Sequence, residues 1–299
     1  MMKRTLLAAH KNRLLSTTMI HATNAVSRRF AALALFALVS LPTHAALVVS
    51  SSAYTYSQTF DSLPNSGTSL TWTNDSTPLT GWNLFNSTGA AITTYSADSG
   101  NSNAGGFKSF GASTDRALGG IGAGTNYFGN PAPSAVAGWI AVSFANSTGS
   151  ALSGFDLSFD GEQWRNGGGT NAVAQTMALQ YGIGATFAGV STWTAPGGNF
   201  DWTSPVATTT AALVDGNAAG SVAGRGGSVS LDWTAGSTLW IRWIENNDIG
   251  NDHALAIDNL TFSVSAPSNS NSVPVPSSIA LLLAGVWGLG WAKRRQVRS

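Results

Sequence analysis

Runs in which every second residue is apolar recur along most of this chain, and that period admits strands and little else. It shows in Tyr54-x-Tyr56-x-Gln58-x-Phe60, in Trp139 to Phe144, in Phe155 to Phe159, in Met177 to Tyr181, in Leu239 to Ile244 and in Ala256 to Val264. Successive side chains of a strand point to opposite faces, so alternation puts one set in a core and the other in water. A helix would need an apolar period of about 3.6. Between the runs lie Gly, Ser, Asn and Thr, the residues of tight turns, while residues 46–265 hold one Lys (Lys108) and two Glu (Glu162 and Glu245). The expected fold is therefore all-β, an antiparallel β-sandwich spanning residues 46–265. No internal repeat of fixed period stands out, which disfavours propellers and β-helices.

The two ends are of another kind. Arg28 and Arg29 precede the apolar stretch Phe30 to Leu41, and Thr43-His44-Ala45 puts small residues where a signal peptidase reads. Residues 1–45 are thus expected to be a signal peptide, and Met19 would start a leader of ordinary length. Ser27-Arg28-Arg29-Phe30 echoes a twin-arginine signal, but the residues after it favour Sec export. After a linker at 266–272 come Val273, Pro274, Val275, Pro276, Ser277 and Ser278, then the apolar run Ile279 to Ala292, then Lys293, Arg294, Arg295 and Arg298. A basic cluster stays on the cytoplasmic side, so this order leaves the body outside. At about 1.5 Å per residue the expected helix is shorter than a bilayer core of about 30 Å.

Residues 273–299 resemble the PEP-CTERM sorting signal of Gram-negative bacteria, in which a Pro-x-Pro-Ser-type motif, a short hydrophobic helix and a basic end follow in fixed order. Pro274 and Pro276 match its prolines, Ser277 and Ser278 its small polar residues, and Lys293 to Arg298 its basic end. Val275 stands where that family usually has glutamate. The resemblance implies recognition by an exosortase. It also implies tethering to the inner membrane before processing, and delivery to the cell surface or extracellular matrix.

Every one of the 14 acidic residues lies in the body, against five basic ones (Lys108, Arg116, Arg165, Arg225 and Arg242), a formal charge of −9. Such a surface excludes nucleic acid as partner and suits divalent cations or neutral glycans. The chain has no cysteine, hence no disulfide, thiolate site or cysteine nucleophile.

Phe60-Asp61-Ser62-Leu63-Pro64 and Ala256-Ile257-Asp258-Asn259-Leu260 resemble the opening and closing strands of lectin-like jelly rolls of secreted bacterial proteins. In such a fold the first and last strands lie close, which would bring Asp61 towards Asp258. The loop Glu245 to Asp252 offers Asp248, Asn251 and Asp252 as hard oxygen ligands for a structural calcium ion, and is equally what a solvated turn would contain. No Gly-x-Ser-x-Gly elbow occurs, and His253 is the body's one histidine. A glycosidase would need Glu162 and Glu245 facing each other across a groove. Trp164, Trp193 and Trp202 fall in Gly/Asn/Pro-rich stretches and are the expected exposed faces for sugar stacking, whereas Trp72, Trp82, Trp139, Trp233, Trp240 and Trp243 are expected to fill the core. The primary expectation is an exported, non-enzymatic envelope or matrix protein with signal peptidase and exosortase as partners. The alternatives are a carbohydrate-binding module and, after it, a glycoside hydrolase.

Overall fold

The computed structural model describes residues 45–265 except 125 and 171. The signal peptide, the linker, the sorting motif, the C-terminal hydrophobic helix and the basic end expected from the sequence lie outside the described residues. The strands are β1 (Leu47–Val49), β2 (Thr55–Gln58), β3 (Leu70–Thr71), β4 (Trp82–Asn86), β5 (Thr94–Asp98), β6 (Gly106–Phe110), β7 (Ala117–Ile121) and β8 (Ala135–Asn146). They continue as β9 (Leu152–Asn166), β10 (Thr176–Met177), β11 (Leu179–Ile183), β12 (Trp202–Thr203), β13 (Ala212–Leu213), β14 (Ser221–Trp233), β15 (Thr238–Asn247) and β16 (Ala254–Ser265). No α-helix and only three short 3-10 turns occur among the described residues, so the chain is all-β there.

The strands form two large sheets and a ribbon of β10 with β12. A five-stranded sheet runs β1-β8-β15-β11, with β4 also on β8. In the nine-stranded sheet β16 is central, pairing with β9 on one side and with β7 and then β2 on the other. Most pairs are antiparallel as expected, but β1 runs parallel to β8 and β5 parallel to β6, so both sheets are mixed. Parallel neighbours usually need a long crossover. Only three residues pair between β5 and β6, so the short loop after Asp98 can return the chain to the start of β6.

Alternation decides which residues enter the space between the sheets. Ile140, Val142 and Phe144 of β8 and Leu239, Ile241 and Trp243 of β15 meet Phe155, Leu157 and Phe159 of β9 there. Ring pairs cross the gap: Phe144 stacks on Phe262 at 3.8 Å, and Phe159 meets Trp243 edge-on at 5.4 Å. In β16 the pattern changes phase. Leu255 and Ile257 face inward, then a bulge at Asn259, with φ of 50°, resets the parity so that Leu260, Phe262 and Val264 also face inward. Without that extra residue the second half of the strand would turn its apolar side to solvent. The bulge also fixes Asp258 on the outer face, beside Ala256 and across from Asp160 of β9.

Candidate functional site

Pairing in the five-stranded sheet assembles an aromatic surface on its outer face. Trp139 sits opposite Phe85 of β4 and Ile244 of β15, and the next row across the sheet is Asn83, Ala141, Arg242 and Gln180. The segment after β11 folds over this face. Its 3-10 turn Phe187–Gly189 is capped by Thr186, whose hydroxyl accepts from the Gly189 N–H at 3.0 Å. Backbone bonds between Tyr181 and Thr194 anchor its far end and hold Trp193 in place. Phe187 stacks on Phe85 at 4.0 Å and lies 5.2 Å from Trp193.

Arg242 is the polar centre of this patch. Its guanidinium carbon lies 3.8 Å from the Trp193 ring centre, 4.7 Å from Trp139 and 5.6 Å from Phe187. Its Nε donates to Gln180 Oε1 at 2.9 Å and Nη2 to the same oxygen at 2.5 Å. Burial brings its pKa down to about 10, with no carboxylate nearby to offset that cost. Trp139, Trp193, Gln180 and Arg242 are all half-buried, so ring, amide and guanidinium share one partly open surface. On the same face Trp139 Nε1 and Ser143 Oγ are buried and have no hydrogen-bond partner among the described residues.

The tryptophans divide differently from expectation. Trp164 and Trp202 are 1% and 2% exposed and present no face to solvent: Trp164 stacks on Phe110 under the outer loops, and Trp202 lies over Gly161, where a Cβ would come within 2.3 Å of its ring. Trp139 and Trp240, assigned to the inter-sheet core, are on the outer face instead. The signal for this was in the sequence. Trp139, Ala141 and Ser143 have the parity opposite to Ile140, Val142 and Phe144, and Trp240 and Arg242 the parity opposite to Leu239, Ile241 and Trp243.

The outer face of the nine-stranded sheet carries a buried acidic pocket. Asp258 is 1% exposed and neither of its oxygens has a hydrogen-bond partner of regular geometry among the described residues, although the Asn259 N–H lies near. Burial, then the charges of Glu162, Asp115 and Asp61, push its pKa up to about 8. Glu162 accepts from Trp164 Nε1 at 2.9 Å, yet burial first, and then nearby carboxylates, lift it to about 7. Arg116 does not neutralise the pocket, because its guanidinium donates to Ser109 and to the Gly111 carbonyl. Asp61 instead accepts from the Arg116 backbone N–H at 3.0 Å.

Glu245 lies on the opposite, inner side of the sheet. It ends the inner row of β15, buried beside Gly120, with Oε2 unpartnered and its pKa driven well up by burial and then by Asp252 and Asp248. Glu162 on an outer face and Glu245 inside therefore do not face each other across a groove, and the carboxylate pair required of a glycosidase is not formed. The loop after β15 closes on itself: Asp252 Oδ1 accepts from the Asp248 N–H at 2.6 Å. Asp61 and Asp258 lie apart from that loop, in the acidic pocket. Among the described residues no group of three or more His, Asp or Glu side chains is arranged to hold a metal ion, so the calcium site expected from Asp248, Asn251, Asp252, Asp61 and Asp258 is not assembled as such.

Fold and site together define a β-sandwich with a guanidinium set among aromatic rings on one outer face. No protein-family model and no curated protein matches the chain. Among solved structures, the CBM22-1 xylan-binding domain from Paenibacillus barcinonensis Xyn10C is similar at 9% identity, over 73% of this chain and 98% of that one, with a TM-score of 0.34. A likeness of that degree carries no ligand from one chain to the other.

Proposed function

We propose that this chain is an exported, non-catalytic β-sandwich that binds neutral polysaccharide on the outer aromatic face of its five-stranded sheet, and that its C-terminal segment is an exosortase-type sorting signal delivering it to the envelope or extracellular matrix. The observation that carries the binding reading is Arg242 among Trp139, Phe187 and Trp193 with Gln180 at its edge. Pyranose rings have an apolar C–H face that packs on indoles and hydroxyl edges that take hydrogen bonds from guanidinium and amide groups. The net acidic body favours an uncharged glycan over an anionic one. Delivery is supported by the order Pro-x-Pro-Ser, apolar run and basic end in residues 273–299.

Affinity electrophoresis through gels containing neutral polysaccharides tests the binding. Trp193→Ala removes a half-buried ring from a loop rather than from the sheet, and should weaken retention about tenfold or more. Equal retention of variant and wild type would reject the aromatic face. Sorting is tested separately by intact mass of the envelope-bound product: the C-terminus should shorten only in cells that have an exosortase. An identical C-terminus with and without that enzyme would reject the sorting reading and leave the glycan reading intact.

A further inference from the structure

A second and quite different hollow lies at the end of the sandwich, where β9 finishes and the chain turns from β15 to β16. It is a cavity of about 340 Å³ with Arg165 on one wall and Asn247, Asn251 and Asp252 on the other. Gly167 lets the two walls approach, since a Cβ there would come within 2.4 Å of the Asn251 carbonyl oxygen. The polar groups are held from behind. Asn247 Nδ2 donates to the Pro131 carbonyl at 2.6 Å, and the Asn251 carbonyl accepts from Gln175 Nε2 at 3.0 Å. Gln175 in turn accepts from the His253 N–H at 2.6 Å, so a buried network fixes the loop.

This support leaves two groups unspent. Arg165 Nη1 donates to the carbonyls of Gly100 and Asn101, each at 3.2 Å, which pins the guanidinium while its Nε and Nη2 meet no acceptor among the described residues. Asp252 uses Oδ1 to accept the Asp248 N–H and has no donor for Oδ2 among the described residues. The cavity therefore presents a fixed donor and a fixed acceptor. A metal cation would face the guanidinium, and no three acidic or histidine side chains converge on it. An anion would face Asp252, whose pKa is raised to about 7, first by burial and then by the charge of the neighbouring Asp248. A neutral polyol satisfies both, with one hydroxyl donating to the carboxylate and its neighbour accepting from the guanidinium. No aromatic ring lines the walls, so a chain cannot stack there, and the volume is at the low end of ligand pockets, about 300–1,000 Å³.

We propose that this cavity is a second sugar site, one that takes a single terminal pyranose of a neutral glycan by holding a vicinal diol between Arg165 and Asp252. It rests on the glycan-binding reading above but on none of the same residues. The test is titration of the 15N-labelled full-length chain with methyl α- and β-pyranosides of glucose, galactose, mannose and xylose at millimolar concentration. At least one should shift the amide signals of Gly167 and Asn251 and spare the Trp193 indole. Arg165→Lys, which keeps the charge and loses the fork, and Asp252→Asn, which keeps the Oδ1 acceptor for Asp248, should each weaken that binding about tenfold or more. Thermal melts of both variants check that the fold is intact. Failure of every glycoside to shift the cavity signals, while polysaccharide is still retained, overturns the cavity and leaves the aromatic face standing. Cavity shifts without polysaccharide retention uphold the cavity and overturn the face. Shifts that persist undiminished in both variants overturn the roles given to Arg165 and Asp252.

Discussion

Asp258 makes the stability of this protein a function of pH, and the sign is opposite to that of an ordinary salt-bridged aspartate. Its pKa rises from the usual 3.8 to about 8 in the folded chain. The folded state thus binds the proton more tightly than the unfolded one, so its contribution is full below about pH 4, declines as pH rises towards about 8 and is flat beyond. At about 1.4 kcal/mol per pH unit the whole gap corresponds to about 6 kcal/mol. Glu162 titrates in the same pocket, so the two protonations are coupled and that figure is an upper bound for Asp258 alone. Asp258→Asn replaces the protonated carboxyl by an amide of the same shape. Urea unfolding at or below about pH 4 should find variant and wild type close together, and at about pH 9 should find the variant more stable, by up to about 6 kcal/mol. Parallel profiles for the two proteins would mean that Asp258 takes up no proton on folding. A wild-type profile that is flat in buffer and falls only after chelation would show that a cation, not a proton, balances the pocket.

Two further substitutions test the frame that holds the sites. Phe262→Ala empties the point where Phe144, Phe155 and Trp233 converge, and should cost about 3–5 kcal/mol in urea unfolding; a loss below about 1 kcal/mol would mean the two sheets do not meet there. Asn259→Val forces a β-branched residue to a φ of 50° and should cost about 1–2 kcal/mol more than Asn259→Gly. Both variants lose the Asn259 to Asp160 hydrogen bond, so their difference in melting temperature isolates the backbone, and no difference would remove the bulge from the argument.

Strand content was legible because alternation is a property of neighbours along the chain. Faces within a run were legible too, but only by tracking parity: Trp240 and Trp243 are three apart and so lie on opposite sides of β15, a separation that a count of tryptophans conceals. Parity also fails at a bulge: Ile257 and Leu260 are three apart with Asp258 and Asn259 between them, and a reading of strict alternation through Ala256 to Val264 passes over that change of phase. Burial of Trp164 and Trp202 was illegible for another reason. Glycine-rich surroundings suggested open loops, whereas Gly216 and Gly161 are small so that backbone can close over those very rings. The parallel pairs escaped as well, since β1 meets β8 through contacts about a hundred residues distant in sequence.

The central place of β16 has a consequence for timing. It is the last strand described, and β2, β7 and β9 all pair with it, so the large sheet cannot close until residue 265 is available. The contacts that complete the domain are therefore among its most non-local, which makes folding slow relative to chains with local pairing. A chain leaving a translocation channel amino end first would expose unpaired strands throughout its passage, and the missing partner would emerge only a few residues ahead of Pro274. On the proposed export route, completion of the domain would coincide with the emergence of its tail.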